Sequence, residues 1–258
     1  MILLGAIQGL TEFLPVSSSG HLILFKEILG VEFASGLFLE VMLHLGTLIP
    51  VLIVFRQDII SLFKPPFKKM GYLIIASIPA AITGLLLEDK VDFLSATKYI
   101  CFFFLLTAIL LFVTEIVSKK VEEKKLQEFN IKTAIIMGLA QGIAIVPGLS
   151  RSGTTISSGV LSKGKREEVA SFSFLMSIPV ILGAVLLYLY KILFKESIVI
   201  ASSDILPLFF GILSASVFGY VAIKLMLGVI KKSNYKWFSL YLVLVFILTF
   251  IDGYIYNF

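Results

Sequence analysis

Two short segments, about half a chain apart, hold most of the side chains in this sequence that could take part in chemistry. The first runs from Gly5 to His21 and the second from Gly138 to Thr155. Glycine, glutamine and serine recur in both at one constant offset, and each also contains a proline, displaced by one residue. Apolar residues precede each proline and small hydroxyl-bearing residues follow it. Each segment therefore predicts a half-helix, a break and the start of a second helix.

The first segment contains a carboxylate, an imidazole and three consecutive serines. Gln8 and Glu12 are four residues apart and share one face of a helix. A carboxylate near the bilayer centre costs roughly 2.5–3.5 kcal/mol on insertion scales, so Glu12 must be paired, hydrated or bound to a metal. Two interpretations are open for Glu12: an ion pair that holds helices together, or a ligand with an acid–base role. A lone buried histidine usually belongs to a core, but beside this carboxylate His21 favours a functional role.

The second segment contains Arg151, the only arginine inside an apolar stretch of the sequence. A guanidinium can bind a phosphate through two parallel hydrogen bonds, which the ammonium of lysine cannot do. Arg151 could instead simply be the partner of Glu12, and both roles hold if the pair separates when substrate enters. Behind each break, the first amides of a helix and nearby serine hydroxyls form a ready anion site. Ordinary N-capping is the alternative role for these serines.

Composition excludes a soluble domain. Hydrophobic residues make up 58% of the 258-residue chain, charged residues only 15%, and the mean hydropathy is +1.01. Soluble chains average about 25% charged residues. The net charge of +5 therefore does not indicate affinity for nucleic acid, and we expect no nucleic-acid partner. In a membrane protein, the location of the positive charges is what matters.

Six stretches are long enough to span a bilayer, which takes roughly 17–25 residues. They are 37–55, 72–87, 99–117, 169–190, 205–230 and 237–256. The broken segments 3–30 and 133–162 predict two re-entrant helix–break–helix hairpins, because irregular backbone at membrane depth must be buried in protein or line a cavity. The predicted fold is an all-α polytopic membrane protein with six transmembrane helices. It forms one membrane domain, 1–258, with repeat 1 at about 1–118 and repeat 2 at about 132–258. Three spans per repeat give the repeats inverted topology, which places a site near the midplane.

Most of the 22 lysines and arginines fall in the loops on one side of these spans. The positive-inside rule makes that side cytoplasmic, so we expect both termini outside and the first hairpin to enter from the outside. Lys224 lies in an apolar span and should extend its ammonium towards the cytoplasmic face. Glu40 and His44 are four residues apart near the outer end of their span. They either line the mouth of the cavity or pair with each other.

Together these groups predict a site for a multiply charged anion, and a diphosphate on a lipid fits an apolar wall. They also meet the needs of phosphoryl transfer, which relies on positioned charge. The competing class is a lipid-phosphate transporter or flippase, because inverted repeats with broken helices are equally typical of transporters.

The motifs from Gln8 to His21 and from Pro147 to Thr155 resemble the signatures of the bacterial undecaprenyl-diphosphatase family (UppP/BacA, bacitracin resistance), and the likeness covers essentially the whole chain. The resemblance implies an enzyme of the bacterial inner membrane that hydrolyses undecaprenyl diphosphate to undecaprenyl phosphate and inorganic phosphate, recycling the lipid carrier of the cell wall. It also implies a divalent cation, Mg²⁺ or Ca²⁺, an active site open to the outside, and competition with bacitracin for the prenyl diphosphate lipid. A homo-oligomer is compatible with the sequence.

Residues and resemblance together predict the following site. The catalytic residues are Glu12, His21, Ser18 and Arg151, the substrate-binding residues are Ser17, Ser19, Ser150, Ser152 and Thr155, and the metal ligands are Gln8 and Glu12. The nucleophile is Ser18, His21 or a water that His21 activates. The first motif position is Glu in some family members and is Gln8 in this sequence. Gln8 can bind a metal but cannot act as a base.

Overall fold

The computed structural model describes residues 1–31, 36–87, 96–121, 126–194, 202–232 and 235–256. These residues form α-helices and their connections, with one isolated bridge between Gln127 and Gly164. The helices, numbered in chain order, are α1 (Ile2–Phe13), α2 (Ser18–Ile28), α3 (Gly36–Val54), α4 (Arg56–Leu62), α5 (Lys68–Leu87), α6 (Thr97–Lys119), α7 (Ile131–Ile143), α8 (Arg151–Leu161), α9 (Arg166–Phe194), α10 (Ser202–Lys232) and α11 (Lys236–Ile251), which a π-helical turn (Asp252–Tyr256) extends.

The described residues contain five helices that are long and apolar enough to cross a membrane, namely α5, α6, α9, α10 and α11. Helix α3 is bent by 83° from α4, and the bent pair gives up to six spans. All six predicted spans therefore fall on helices, and the protein is a multi-pass membrane protein. The predicted count of six requires that the bent pair is one span.

Helices α1 and α7 match the two predicted half-helices. They contain 12 and 13 residues, which at about 1.5 Å per residue is too short for a hydrocarbon core about 30 Å thick. Beyond α1, Leu14 is extended ahead of Pro15 and Ser17 has a φ of 71°. Beyond α7, Gly148 has a φ of 90°, a conformation that favours glycine. Proline and left-handed backbone therefore end both helices at the predicted breaks.

Glycines bring each half-helix against a long helix of the other repeat. A Cβ added at Gly5 would lie 2.1 Å from the carbonyl oxygen of Gly211, so α1 and α10 are in backbone contact. A Cβ added at Gly138 would lie 2.7 Å from the Cα of Ala76, which places α7 equally close to α5. Gly9 and Gly142 continue these two contacts one turn further along. Small residues let helix backbones approach closely in a membrane, where burial of apolar surface gives little drive.

Helix ends rich in lysine and arginine lie together at one end of the bundle. Arg166 at the start of α9 donates to the hydroxyl of Ser118 near the end of α6. The amide of Tyr235, before α11, donates to Glu115 of α6 at 3.1 Å. The predicted charge asymmetry therefore corresponds to a basic end of the folded molecule, which we call the basic end.

Candidate active site

The two breaks are in direct contact. The hydroxyl of Ser152 donates to the carbonyl oxygen of Leu14 at 3.1 Å, across the two breaks. The amide of Gly148 donates to the hydroxyl of Ser19 at 3.4 Å in the same region. Predicted binding residues Ser19 and Ser152 thus join the two hairpins to each other, and the starts of α2 and α8 lie side by side.

Equivalent serines cap the two helices that follow the breaks. The hydroxyl of Ser17 accepts from the amide of Gly20 at 3.3 Å, and that of Ser150 accepts from the amide of Gly153 at 3.1 Å. The structure therefore shows Ser17 and Ser150 in the alternative role, as N-caps. Ser150 also donates its amide to Thr107 of α6 at 3.2 Å and contacts the hydroxyl of Ser152. In α2, the amides of Ser18 and Ser19 make no hydrogen bond to any described residue, so they remain available to an anion.

Glu12 is the centre of the cluster between the hairpins. Its side chain is almost fully buried, with 6% of the residue exposed. One carboxylate oxygen binds a guanidinium nitrogen of Arg151 at 2.5 Å. The other accepts from the hydroxyl of Ser18 at 2.6 Å and from the amide of Gln8 at 3.0 Å, and it lies 3.3 Å from Nε2 of His44. A buried carboxylate needs such a set of partners, since an unpaired charge there is strongly destabilising.

Arg151 is held at two points. Besides Glu12, it donates through Nη1 to the backbone carbonyl of Ser173 on α9 at 3.2 Å. Thr155, a predicted binding residue, forms a hydrogen bond with the hydroxyl of Ser173 at 2.6 Å. It forms no hydrogen bond with Glu12 in the described structure. Thr155 therefore supports the helix turn that positions Arg151. The prediction that Thr155 binds substrate stays a prediction.

His21 is engaged away from Glu12. Its Nδ1 donates to the carbonyl of Ser17 at 2.7 Å, and its Nε2 lies 2.7 Å from the hydroxyl of Tyr241 on α11. The ring stacks on Tyr241 and meets the edge of Phe104. A neutral imidazole with a protonated Nδ1 accepts at Nε2, so the tyrosine hydroxyl is the donor there. The catalytic role of His21 stays a prediction.

His44 takes the position beside Glu12 that the sequence left open. Its Nδ1 donates to the backbone carbonyl of Glu40 at 2.7 Å, while its Nε2 faces Glu12. The carboxylate of Glu40 binds Lys26 at 2.8 Å. The side chains of Glu40 and His44 therefore do not pair with each other, and His44 lines the site.

Gln8 supplies an oxygen that could serve a cation. Its Oε1 is fully buried and has no hydrogen-bond partner among the described residues, although its amide nitrogen is bonded to Glu12. The described residues contain no group of three histidine, cysteine, aspartate or glutamate side chains able to hold a metal. Mg²⁺ commonly takes one or two carboxylates together with substrate phosphates. Gln8 and Glu12 fit that limited ligand set.

Sequence reasoning missed Ser173, Thr107 and Tyr241. Each lies on a long span: Thr107 and Tyr241 contact the site through a hydroxyl, and Ser173 through its carbonyl and its hydroxyl. Serine and threonine inside apolar helices commonly bond their own helix backbone, so nothing in the local pattern distinguishes these three. The sequence pattern indicated only Arg151, the partner of Glu12, and the two breaks.

The chain is similar to known proteins over nearly its whole length. The family profile described as bacitracin resistance protein BacA matches residues 1–248. The undecaprenyl-diphosphatase of Carboxydothermus hydrogenoformans is 41% identical over 243 residues, covering 93% of this chain and 91% of that protein. That of Halothermothrix orenii is 42% identical over 247 residues, covering 93% and 92%. That of Methanobrevibacter smithii is 40% identical over 275 aligned positions, covering 98% and 96%.

Proposed function

Because this chain belongs to the bacitracin resistance protein BacA family, we propose that it is a membrane lipid phosphatase that hydrolyses undecaprenyl diphosphate to undecaprenyl phosphate and inorganic phosphate. The observation that carries the proposal is the buried cluster of Glu12, Arg151 and Ser18 between two capped helix starts. The cluster combines a carboxylate, a guanidinium and a hydroxyl, the groups that phosphoryl transfer requires of a protein. The relatives named undecaprenyl-diphosphatase support the choice of substrate.

Binding of the diphosphate begins at Arg151. Its guanidinium leaves Glu12 and donates to phosphate oxygens, while the carbonyl of Ser173 keeps the other nitrogen in place. The free amides of Ser18 and Ser19 and the positive end of α2 add donors for the same anion. Ser17, Ser150 and Ser152 hold the two helix starts in position through the hydrogen bonds described above.

Ser18 is the nucleophile that the geometry favours. Its hydroxyl already donates to Glu12 at 2.6 Å, which is the arrangement of a nucleophile and its base. The serine oxygen attacks the terminal phosphorus, Glu12 takes the hydroxyl proton, and the bond from that phosphorus to the bridging oxygen breaks. Undecaprenyl phosphate leaves with the bridging oxygen. Water then cleaves the phosphoserine, which releases inorganic phosphate and restores the hydroxyl. His21 is the alternative nucleophile or the base for a water.

A divalent cation, Mg²⁺ or Ca²⁺, would be held by Gln8 and Glu12. When bound, it would neutralise charge that develops on the phosphate oxygens. The unpartnered Oε1 of Gln8 is the observation that supports this assignment.

The proposed topology is an inverted repeat whose two re-entrant hairpins enter from opposite sides of the bacterial inner membrane, with both termini and the active site facing outside. Two observations support it. Each half-helix packs through glycines on a long helix of the other repeat, and the basic end suits a cytoplasmic face.

Phosphate release from a prenyl diphosphate by the purified protein in detergent tests the function. We expect release that depends on the added cation and falls in Glu12→Gln and Ser18→Ala. A radiolabelled phosphoserine trapped in the wild type and lost in Ser18→Ala would support covalent attack, and its absence at every pH would favour direct attack by water. Binding without turnover would instead support a lipid-phosphate transporter, which has no need of Glu12 at the anion.

A further inference from the structure

A groove with two basic side chains lies at the basic end, away from the breaks. A groove of about 320 Å³ separates the bend between α3 and α4 from α10. Its lining consists of Ile53, Val54, Arg56, Gln57, Tyr220 and Lys224. Two cations and an amide thus face two aliphatic side chains, and the groove lining includes no carboxylate.

The two cations form no ion pair within the described protein. Neither Arg56 nor Lys224 forms an ion pair with any described residue; the ammonium of Lys224 lies 5.7 Å from the ring of Tyr220. Lys224 lies inside the span Asp204–Ile230, eight residues before the end of α10 and so roughly 12 Å from it along the helix axis. A charged side chain at that depth is costly unless it is paired or hydrated. An anion supplied from outside the chain would remove this cost.

Helix α4 contributes Arg56 and Gln57 to one side of the groove. Because α4 turns 83° away from α3, it runs across the direction of the spans. Its exposed Ile60 and the following Phe63, which is 66% exposed, stand next to Lys64. Such a mixture of apolar and basic side chains is typical of a segment lying in the membrane interface.

The surface on both sides of the groove suits acyl chains. Ile53 is 54% exposed on α3 and Leu225 is 56% exposed on α10. In a membrane protein, aliphatic side chains at this position contact lipid tails, so a phosphate in the groove would continue into hydrocarbon. A free phosphate ion would leave these side chains unused.

We propose that the groove between the α3–α4 bend and α10 binds the phosphate headgroup of an anionic phospholipid from the leaflet at the basic end, with Arg56 and Lys224 as its counter-charges. Basic pockets between transmembrane helices are a recognised way of binding such headgroups. The site is separate from the proposed active site and does not depend on the proposed activity.

Native mass spectrometry of the detergent-purified protein tests the proposal without any turnover. The protein is incubated with equal amounts of phosphatidylglycerol and phosphatidylcholine, and the bound lipids are counted. We expect the wild type to retain phosphatidylglycerol preferentially. Arg56→Gln with Lys224→Gln should reduce that preference by about thirtyfold, from the typical contribution of a basic residue at an anionic membrane surface.

A matched control removes the same charge from the same end. The double change Lys64→Gln with Lys68→Gln lies outside the groove and should leave the preference unchanged. Arg56→Lys with Lys224→Arg keeps both charges and should retain phosphatidylglycerol, which separates loss of charge from misfolding.

Three results would overturn the proposal. Equal retention by the wild type and the groove variant would show that the two cations bind no lipid. An equal loss in the Lys64 and Lys68 control would show a diffuse surface effect. Displacement of phosphatidylglycerol by inorganic phosphate alone would show a site for the free ion rather than for a lipid.

Discussion

Glu12→Gln should separate binding of the substrate from its hydrolysis. In the structure, Glu12 occupies the guanidinium nitrogen of Arg151 that the diphosphate needs. The bound lipid must therefore break a charged hydrogen bond, worth about 1.5–3 kcal/mol. Glutamine keeps the size of the side chain but loses the charge, so Arg151 is released to the anion.

We expect the variant to bind a non-hydrolysable prenyl diphosphate analogue about tenfold to a hundredfold more tightly than the wild type in the presence of EDTA, since each 1.4 kcal/mol corresponds to a factor of ten. Turnover should fall by about 10² or more, the contribution expected of a positioned base. With saturating Mg²⁺ the gain in affinity should disappear, because Glu12 is also a proposed ligand of the cation.

Isothermal titration of detergent-purified protein with the analogue, with EDTA and with Mg²⁺, provides the measurement. Glu40→Gln is the matched control: it removes a carboxylate that binds Lys26 at 2.8 Å and should leave the affinity unchanged. Weaker binding by Glu12→Gln in EDTA, in protein that still elutes as a folded species, would refute the idea that Glu12 and substrate compete for Arg151.

Four further predictions concern single side chains. Arg151→Lys should lose roughly 10³-fold in turnover, by analogy with transition-state arginines, because an ammonium cannot bind a phosphate through two parallel hydrogen bonds as the guanidinium can; near-wild-type phosphate release would contradict this. His44→Ala should lower turnover about tenfold to a hundredfold, as loss of a supporting partner does, and unchanged kinetics would exclude such support. Gly9→Leu should prevent accumulation of folded protein in membranes, because its Cβ would lie 2.5 Å from an α10 carbonyl. Gln141→Leu should raise the free energy of unfolding by about 1–3 kcal/mol, since neither amide atom of this buried residue has a hydrogen-bond partner in the described part of the chain; a lower melting temperature would oppose that reasoning.

The helices were predictable because their signals are local. Long apolar runs fix the spans, and a proline followed by small residues fixes each break. The bend after Val54 was not predicted, because Phe55 carries no signal for it: neither proline nor glycine stands there. The bend of 83° follows from tertiary packing, in which Phe55 meets Phe174 of α9.

The centre of the site was predictable for a different reason. A carboxylate and a guanidinium in apolar sequence must each find a partner, and so Glu12 and Arg151 could be expected to meet although they are far apart in sequence. His44 was left undecided because its nearest acidic neighbour in sequence, Glu40, offered an equally simple partner. That alternative failed because Lys26 occupies the carboxylate of Glu40.

The repeated segments have become unequal in a way that suits one asymmetric substrate. Ser17 and Ser150 occupy equivalent positions and cap their helices in the same manner. At the next position, however, the first copy has the hydroxyl of Ser18 and the second has the guanidinium of Arg151.

Glu12 has the same kind of asymmetry, since Ile145 stands at its equivalent position in the second copy. Gln141, the counterpart of Gln8, therefore has no carboxylate one turn away, and its side chain has no hydrogen-bond partner within the described ranges. A symmetric site would place two identical sets of groups on the diphosphate, one on each phosphate. Here one hairpin supplies the carboxylate with its hydroxyl and the other supplies the positive charge. In the proposed mechanism, the first hairpin therefore acts on the terminal phosphorus while the second holds the charge that leaves, so that one defined bond is cleaved.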